Sequence, residues 1–248
     1  MNKRSNRLQF NGRFAFKTAS PTYVPMVNAE AKNVERLQGV EFVARLIMSR
    51  EGVLLTEVYE GGPLTPDNPI LQDLDNASKW RIFGQALIGV DNIHSKGLIH
   101  RDLKGPNIVL TQGKESPEPR VIDLALAQIL GSRVTHGGTP IYDPPEYQMG
   151  MPEVYAASKD AFSMGVVALE TFLGHTPSWF SATSPAERRK IMLKELKGLK
   201  RLLEQYPDIP QEIRSAILIL LDPKPENRNM AAAIELIHAG VGKLKEEE

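Results

Sequence analysis

The stretch His100-Arg101-Asp102-Leu103-Lys104-Gly105-Pro106-Asn107-Ile108-Val109-Leu110 decides how this chain is read. It sets a carboxylate, an ammonium and an amide at fixed spacing ahead of an apolar tripeptide. Ile108-Val109-Leu110 reads as a short buried strand, which would hold the polar groups still. Asp102 can accept a hydroxyl proton, Lys104 can neutralise a phosphate, and the carbonyl oxygen of Asn107 can ligate a hard cation. Sixteen residues beyond Asn107, the apolar run Val121-Ile122 ends in a second carboxylate, Asp123. Asn107 and Asp123 form an oxygen pair suited to Mg²⁺, which takes few protein ligands and keeps waters and substrate phosphates. Such a set suits phosphoryl transfer, where catalysis is mostly positioning and charge neutralisation.

The bulk numbers leave room for that chemistry and exclude others. A chain of 248 residues with 42% hydrophobic content can build one large domain or a two-lobed one. Lys plus Arg equals Asp plus Glu at 30 each, so no global field steers it to nucleic acid or an anionic membrane. The absence of cysteine removes disulfides, thiolate metal sites and cysteine nucleophiles. Met1 to Arg7 is polar and basic, with no apolar segment behind it, so no secretory signal is expected. Apolar runs such as Ala216 to Leu221 are too short to span a bilayer. A cytoplasmic or nuclear location is the expectation, and the oligomeric state stays open.

Along the chain there is no internal repeat and no low-complexity linker. Leu8-Gln9-Phe10, Asn11-Gly12 and Arg13 to Thr18 read as a β-hairpin, because Asn-Gly tolerates the positive φ of a tight turn. Asn28 to Gln38 reads as a helix with Ala29, Val34 and Leu37 facing inward. Phe42 to Ser49 and Gly52 to Tyr59 read as a second hairpin, and Gly61-Gly62-Pro63 as a break. From Ala77 the pattern is mainly helical, with Trp80, Phe83, Leu87, Val90 and His94 on one stripe. A small sheet-rich part is thus followed by a larger helical one, and a ligand pocket is expected at their junction.

The catalytic-loop stretch resembles H-R-D-x-x-x-x-N of eukaryotic-type protein kinases, with Asp123-Leu124-Ala125 at the D-F-G position. The resemblance implies an α+β fold of two lobes. Residues 1–248 would form one kinase domain, 1–59 a truncated N-lobe and hinge, and 60–248 the helical C-lobe. Phe14-Ala15-Phe16-Lys17 is similar to V-A-I-K, so Lys17 would hold nucleotide phosphates. Glu30, with Val34 and Leu37 at helical spacing behind it, would hold Lys17; Glu35 is the rival acid. Leu54 to Gly62 is similar to the hinge: Glu57 and Tyr59 would bond the adenine edge through their backbone, and Thr56 would stand beside the base. Ala15 would lie above the base and Val109 below it. Asp102, Lys104 and Asn107 would be catalytic, and Asn107 with Asp123 would hold Mg²⁺. ATP and Mg²⁺ are the implied cofactors and a protein the implied substrate, with neither nucleic acid nor membrane as partner.

Other segments separate this family from small-molecule phosphotransferases. Gly138-Thr139-Pro140-Ile141-Tyr142-Asp143-Pro144-Pro145-Glu146 resembles G-T-P-x-Y-x-A-P-E, and Arg228 stands where the family places the partner of that Glu. Asp160 matches the acid that anchors the catalytic loop. Lys104 with Thr139 implies a Ser or Thr acceptor. Arg101 would read a phosphate on Ser132 or Thr135, or that short loop would be ordered without one. Ser184-Pro185-Ala186-Glu187 is a capping box opening a basic helix. That helix reads as a solvated face or a docking surface for acidic partners. The pattern also fails at one place: no G-x-G-x-x-G precedes Lys17. Two readings follow. One is a Ser/Thr kinase with weak nucleotide binding, either a fragment or shortened product of a longer kinase or a protein that binds nucleotide without that lid; the other is a kinase-like scaffold with little or no catalysis.

Overall fold

Strands β1 (Asn6–Asn11) and β2 (Phe14–Ala19) pair antiparallel, with Asn11 opposite Phe14. The computed structural model describes residues 6–11, 14–112, 116–133, 135, 137–150, 152–153 and 156–246, with side chains from residue 14 onward. Gly12 and Arg13, expected in the first hairpin, lie outside those residues, and Asn11 belongs to the strand.

Helix α1 (Val24–Arg36) follows a single 3-10 turn at Pro21–Tyr23. It starts four residues before the expected Asn28, because Pro25 occupies the first turn, where a missing N–H leaves nothing unsatisfied. Val27, Glu30, Ala31 and Val34 are its buried residues, at three- and four-residue steps. Ala29, expected inward, is exposed, since it lies one residue off that face. The second hairpin, β3 (Leu46–Arg50) with β4 (Val53–Glu57), is shorter than expected. Phe42 takes a left-handed φ of 58°. Its carbonyl accepts from Val121 N at 2.8 Å, while Ala44 N donates to Val121 O at 2.8 Å. The segment before β3 is thereby drawn away from the sheet and onto the helical part. The sheet order is β1-β2-β4-β3, which leaves β1 and β3 at its edges.

Past the break, Gly61 N donates to Leu110 O at 2.9 Å, and a Cβ on Gly61 would stand 2.6 Å from that oxygen. Only glycine lets the connection between the two parts press against β6 (Ile108–Leu110), the strand behind the catalytic-loop stretch. Helix α2 (Pro69–Asp73) and helix α3 (Asn76–Ser95) come next, and Asp75 caps α3 by accepting from Ser78 N at 2.6 Å. Trp80, Phe83, Leu87 and Val90 of the expected α3 stripe are buried. Strand β5 (Leu98–Ile99) pairs with β8 (Gln128–Ile129), and β6 pairs with β7 (Pro119–Val121). Helices α4 (Pro145–Gln148), α5 (Ser158–Val167), α6 (Pro185–Leu203), α7 (Gln211–Leu220) and α8 (Met230–Glu246) complete the helical part. Ser184 Oγ caps α6 by accepting from Glu187 N at 3.2 Å, but the Glu187 carboxylate turns back to Thr183 rather than to Ser184. Most buried apolar side chains form one core threaded by α3, α5, α7 and α8. Among the described residues no helix is long and apolar enough to cross a membrane.

Candidate active site

Lys17 projects from β2 at the junction of the two parts. Its Nζ donates to Glu30 Oε2 at 2.7 Å and to Asp123 Oδ1 at 3.2 Å. Burial opposes charge on both partners: it pushes the Glu30 carboxyl up, and would push Lys17 down. Lys17 faces two carboxylates, and their charges hold it above its usual range. Glu35, the rival acid, is exposed and accepts from Ser49 Oγ.

A cavity of about 530 Å³ opens around Lys17. Ala15, Glu30, Thr56 and Glu57 line it from the sheet side, Tyr59 from the connection, and Asn107, Val109 and Asp123 from the helical side. Every residue that the sequence assigned to nucleotide binding therefore meets one space. The Tyr59 phenol turns elsewhere: its oxygen accepts from Arg45 N at 3.0 Å, and its ring lies under the Arg120 guanidinium. Its main-chain amide has no hydrogen-bond partner among the described residues.

Asp102 and Lys104 stand beside this cavity rather than on its wall. Thr139 Oγ1 donates to Asp102 Oδ1 at 2.6 Å, and Lys104 Nζ donates to Asp102 Oδ2 at 2.9 Å and to Thr139 Oγ1 at 2.8 Å. Asn107 Nδ2 donates to the Asp102 carbonyl at 2.7 Å and to its carboxylate at 3.1 Å. Burial would raise the Asp102 carboxyl, but the hydrogen bonds from Thr139 and Lys104 and the Lys104 charge outweigh it and hold it below the usual carboxylate range. The loop is fixed from beneath by Asp160, which is fully buried and accepts from His100 N at 2.8 Å, Arg101 N at 3.0 Å and His94 Nε2 at 2.9 Å. Glu146 and Arg228 form the expected fork, at 2.6 and 3.0 Å.

Two residues near the site adopt left-handed backbone without being glycine: Arg101 at φ 74° and Asp123 at φ 61°. Such conformations cost on the order of 1–3 kcal/mol each and persist where surrounding structure enforces them. Ala125, in place of the family's glycine, lies in a 3-10 turn over Leu124–Leu126, and the unusual φ falls on Asp123 instead. Leu124 is buried in the main core, as its place for the family's Phe implied. The Arg101 guanidinium donates to Leu126 O at 2.9 Å and to Thr135 O and Oγ1 at 2.8 and 3.2 Å, so it ties down the segment carrying Ser132 and Thr135.

Sequence reasoning missed two contacts. Asn33 Nδ2 donates to Leu124 O at 3.3 Å and to Ala127 O at 3.1 Å, joining α1 to the turn after Asp123. Its signal was its place three residues after Glu30, on the same helix face. Lys159 is buried to 1% exposure, pairs with Asp143 and lies over the Tyr147 ring. Its signal was a lysine adjoining Asp160 at the start of an otherwise apolar helix.

The model for the protein kinase domain matches residues 20–237. The chain belongs to the protein kinase family. The rice leucine-rich repeat receptor protein kinase MSL1 is 32% identical over 179 residues, 69% of this chain and 11% of that protein. The Myxococcus xanthus serine/threonine-protein kinase Pkn1 is 26% identical over 229 residues, 88% of this chain and 32% of its own length. The human serine/threonine-protein kinase ULK1 is 30% identical over 195 residues, 73% of this chain and 17% of that protein. The chain thus spans no more than about a third of these relatives. The bilobal α+β expectation agrees with this kinase domain, a small sheet-containing part followed by a helical one.

Proposed function

We propose that this chain is a Mg·ATP-dependent kinase for Ser or Thr hydroxyls of proteins, with residues 1–59 as the small lobe and hinge and 60–248 as the helical lobe. The observation that carries it is the convergence of Lys17, Asn107 and Asp123 on one cavity, with Asp102 bonded to Asn107 at its edge. Mg·ATP would supply the transferable phosphoryl group. The donor set suits it. Asn107 turns its amide N–H groups to Asp102, leaving its carbonyl oxygen to ligate. The Asp123 side chain is 43% exposed, with one oxygen on Lys17. No cluster of three His, Asp or Glu is found among the described residues. Mg²⁺ needs none, since one carboxylate, one carbonyl and phosphates suffice.

Ala15 and Val109 would sandwich the base, and the backbone of Glu57 and Tyr59 would meet its edge. Lys17, held by Glu30, would grip phosphate. Asp102 would orient the acceptor hydroxyl and take its proton. A carboxyl held low is a weak base, so its main work is orientation, with the proton moving late, as a loose phosphoryl-transfer transition state allows. Lys104 would balance charge on the transferring group. Its triangle with Asp102 and Thr139, and the serine/threonine names of the relatives, favour an aliphatic hydroxyl over a phenol.

The second reading is a nucleotide-binding scaffold. Such a protein would take Mg·ATP in the cavity around Lys17 and leave Asp102 without a hydroxyl to act on. Transfer from labelled ATP to a generic protein acceptor decides between them. Asp102→Asn is expected to lower the rate about 10²–10⁴-fold, and equal rates in both proteins reject catalysis here. A thermal shift with Mg·ATP that persists without transfer would establish the scaffold.

A further inference from the structure

Helix α6 is strongly basic, and nothing in the proposed chemistry uses it. Ala186, Arg189, Lys190, Leu193, Lys194 and Lys197 recur on it at three- and four-residue steps and, with Met149, line a surface groove of about 390 Å³. The four cations are exposed. Met149 is 61% exposed, the most exposed large apolar side chain among the described residues. The acids of α6 that could neutralise this face are engaged elsewhere. Glu187 accepts from Thr183 N and Oγ1 at 2.8 Å, and Glu195 accepts from Ser178 N and pairs with His175, both at 2.9 Å. Among the described residues no carboxylate pairs with any of the four cations. Lys190 and Lys194, one turn apart, repel each other and weaken the helix. The field is local, since the chain's formal net charge is zero.

We infer that this groove docks an acidic segment of the protein substrate, with an apolar side chain against Met149 and Leu193 and carboxylates on the four cations. The inference rests on the phosphotransferase reading for calling the occupant a substrate. Charge complementarity selects an acidic partner, and the exposed apolar members select a peptide over a phosphate backbone, which has no use for them. The groove also carries no aromatic side chain on which bases could stack. It is concave, whereas a bilayer would need an apolar face that lies flat. Its position suits recruitment. Met149 directly follows α4, which follows the segment whose Thr139 bonds Asp102, and Arg188 of α6 donates to Gln148 of α4 at 3.2 Å. A segment seated here therefore leaves its flanking residues near the acceptor position.

The test uses the whole chain and a labelled twelve-residue peptide with four glutamates around one leucine. Fluorescence anisotropy is expected to show binding that weakens about tenfold with Lys190→Glu/Lys194→Glu, about tenfold when glutamines replace the peptide's glutamates, and about threefold with Met149→Ala. Appending this segment to a serine peptide should lower its KM in the native protein but not in the charge-reversed one, while the bare serine peptide reacts alike in both. Binding that ignores charge reversal overturns the proposal. Tighter charge-dependent binding of polyuridylate or phosphatidylserine vesicles than of the peptide overturns it too, by reassigning the face. If the peptide docks but neither serine peptide is phosphorylated, the surface stands and the catalytic reading fails. If both serine peptides react alike and charge reversal changes nothing, the catalytic reading stands and the surface fails.

Discussion

The sheet part and the helical part meet at one cavity but are held together very differently. The helical part has an extended core, and its polar anchors are buried: Asp160 on the catalytic loop, Arg228 on Glu146, Lys159 on Asp143. Among the described residues the sheet part has a satellite core of Val27, Ala31 and Leu54, it sends Val34, Leu37 and Val43 into the main core, and its strand residues from Phe14 to Ala19 are half-buried. Its key side chain, Lys17, is 20% exposed and rests on two ion pairs. The lesson is that the Asp102–Asn107 side of the cavity is held by buried polar anchors, while the Lys17 side leans more on a few polar ties at the junction. Elements held by few polar ties can open locally, and ligand-linked motion is drawn from such low-stability elements.

The sharpest way to break this contrast is to cut an anchor on the rigid side. Arg228→Met would strand the Glu146 carboxylate and is expected to cost about 3–5 kcal/mol of global stability, read by urea unfolding. A loss no larger than that of a surface mutant would mean that packing there does not lean on the pair.

A smaller effect is expected where the two parts are tied. Asn33→Leu leaves the Ala127 carbonyl without its donor and the Leu124 carbonyl with only the Ala127 amide, at about 1–3 kcal/mol. The loss should be local. Hydrogen exchange should rise across residues 124–127 and α1 while α5 is unchanged, and the thermal shift with Mg·ATP should shrink. Equal acceleration in α5 would show that the parts unfold together.

The smallest effect separates the parts by pH. Asp160 is depressed by its hydrogen bond and charge contact with His94 and by the His100 amide, against its burial. Its contribution to stability is present above the ordinary aspartate value of about 3.9 and is lost only as pH falls through its lower folded value. Glu30 is raised by burial, so it takes up a proton at higher pH than an ordinary glutamate, about 4.3. Protonation there costs the fold nothing, since a raised carboxyl favours folding at the acid end, but it leaves Lys17 held by Asp123 alone. Nucleotide affinity should therefore fall on acidification before far-UV circular dichroism changes. Coincident transitions would contradict two independently held halves.

Much of the site was legible because its residues lie in short runs whose spacing is itself the chemistry. Asp102, Lys104 and Asn107 sit within one loop of six residues, and backbone geometry alone brings them together. Glu30 was legible for a different reason: helical register puts it on the buried face with Val34, and leaves Glu35 outside. The same register excludes Ala29 once Val27 belongs to the helix, but that first turn lies among two prolines that read equally well as a turn. Asn33 and the Lys159–Asp143 pair were not legible, because a polar side chain on a helix does not announce which distant carbonyl or carboxylate it will meet.

By itself the sequence determined which groups are available and which lie on a common face, since local periodicity and loop spacing are short-range properties of the chain. Tertiary structure alone decided that Lys17 also bonds Asp123, that α1 is latched to the turn after Asp123, and that the cations of α6 stand around a groove with their own acids turned away. Those outcomes depend on how elements far apart in sequence pack, and packing is settled by the whole core at once.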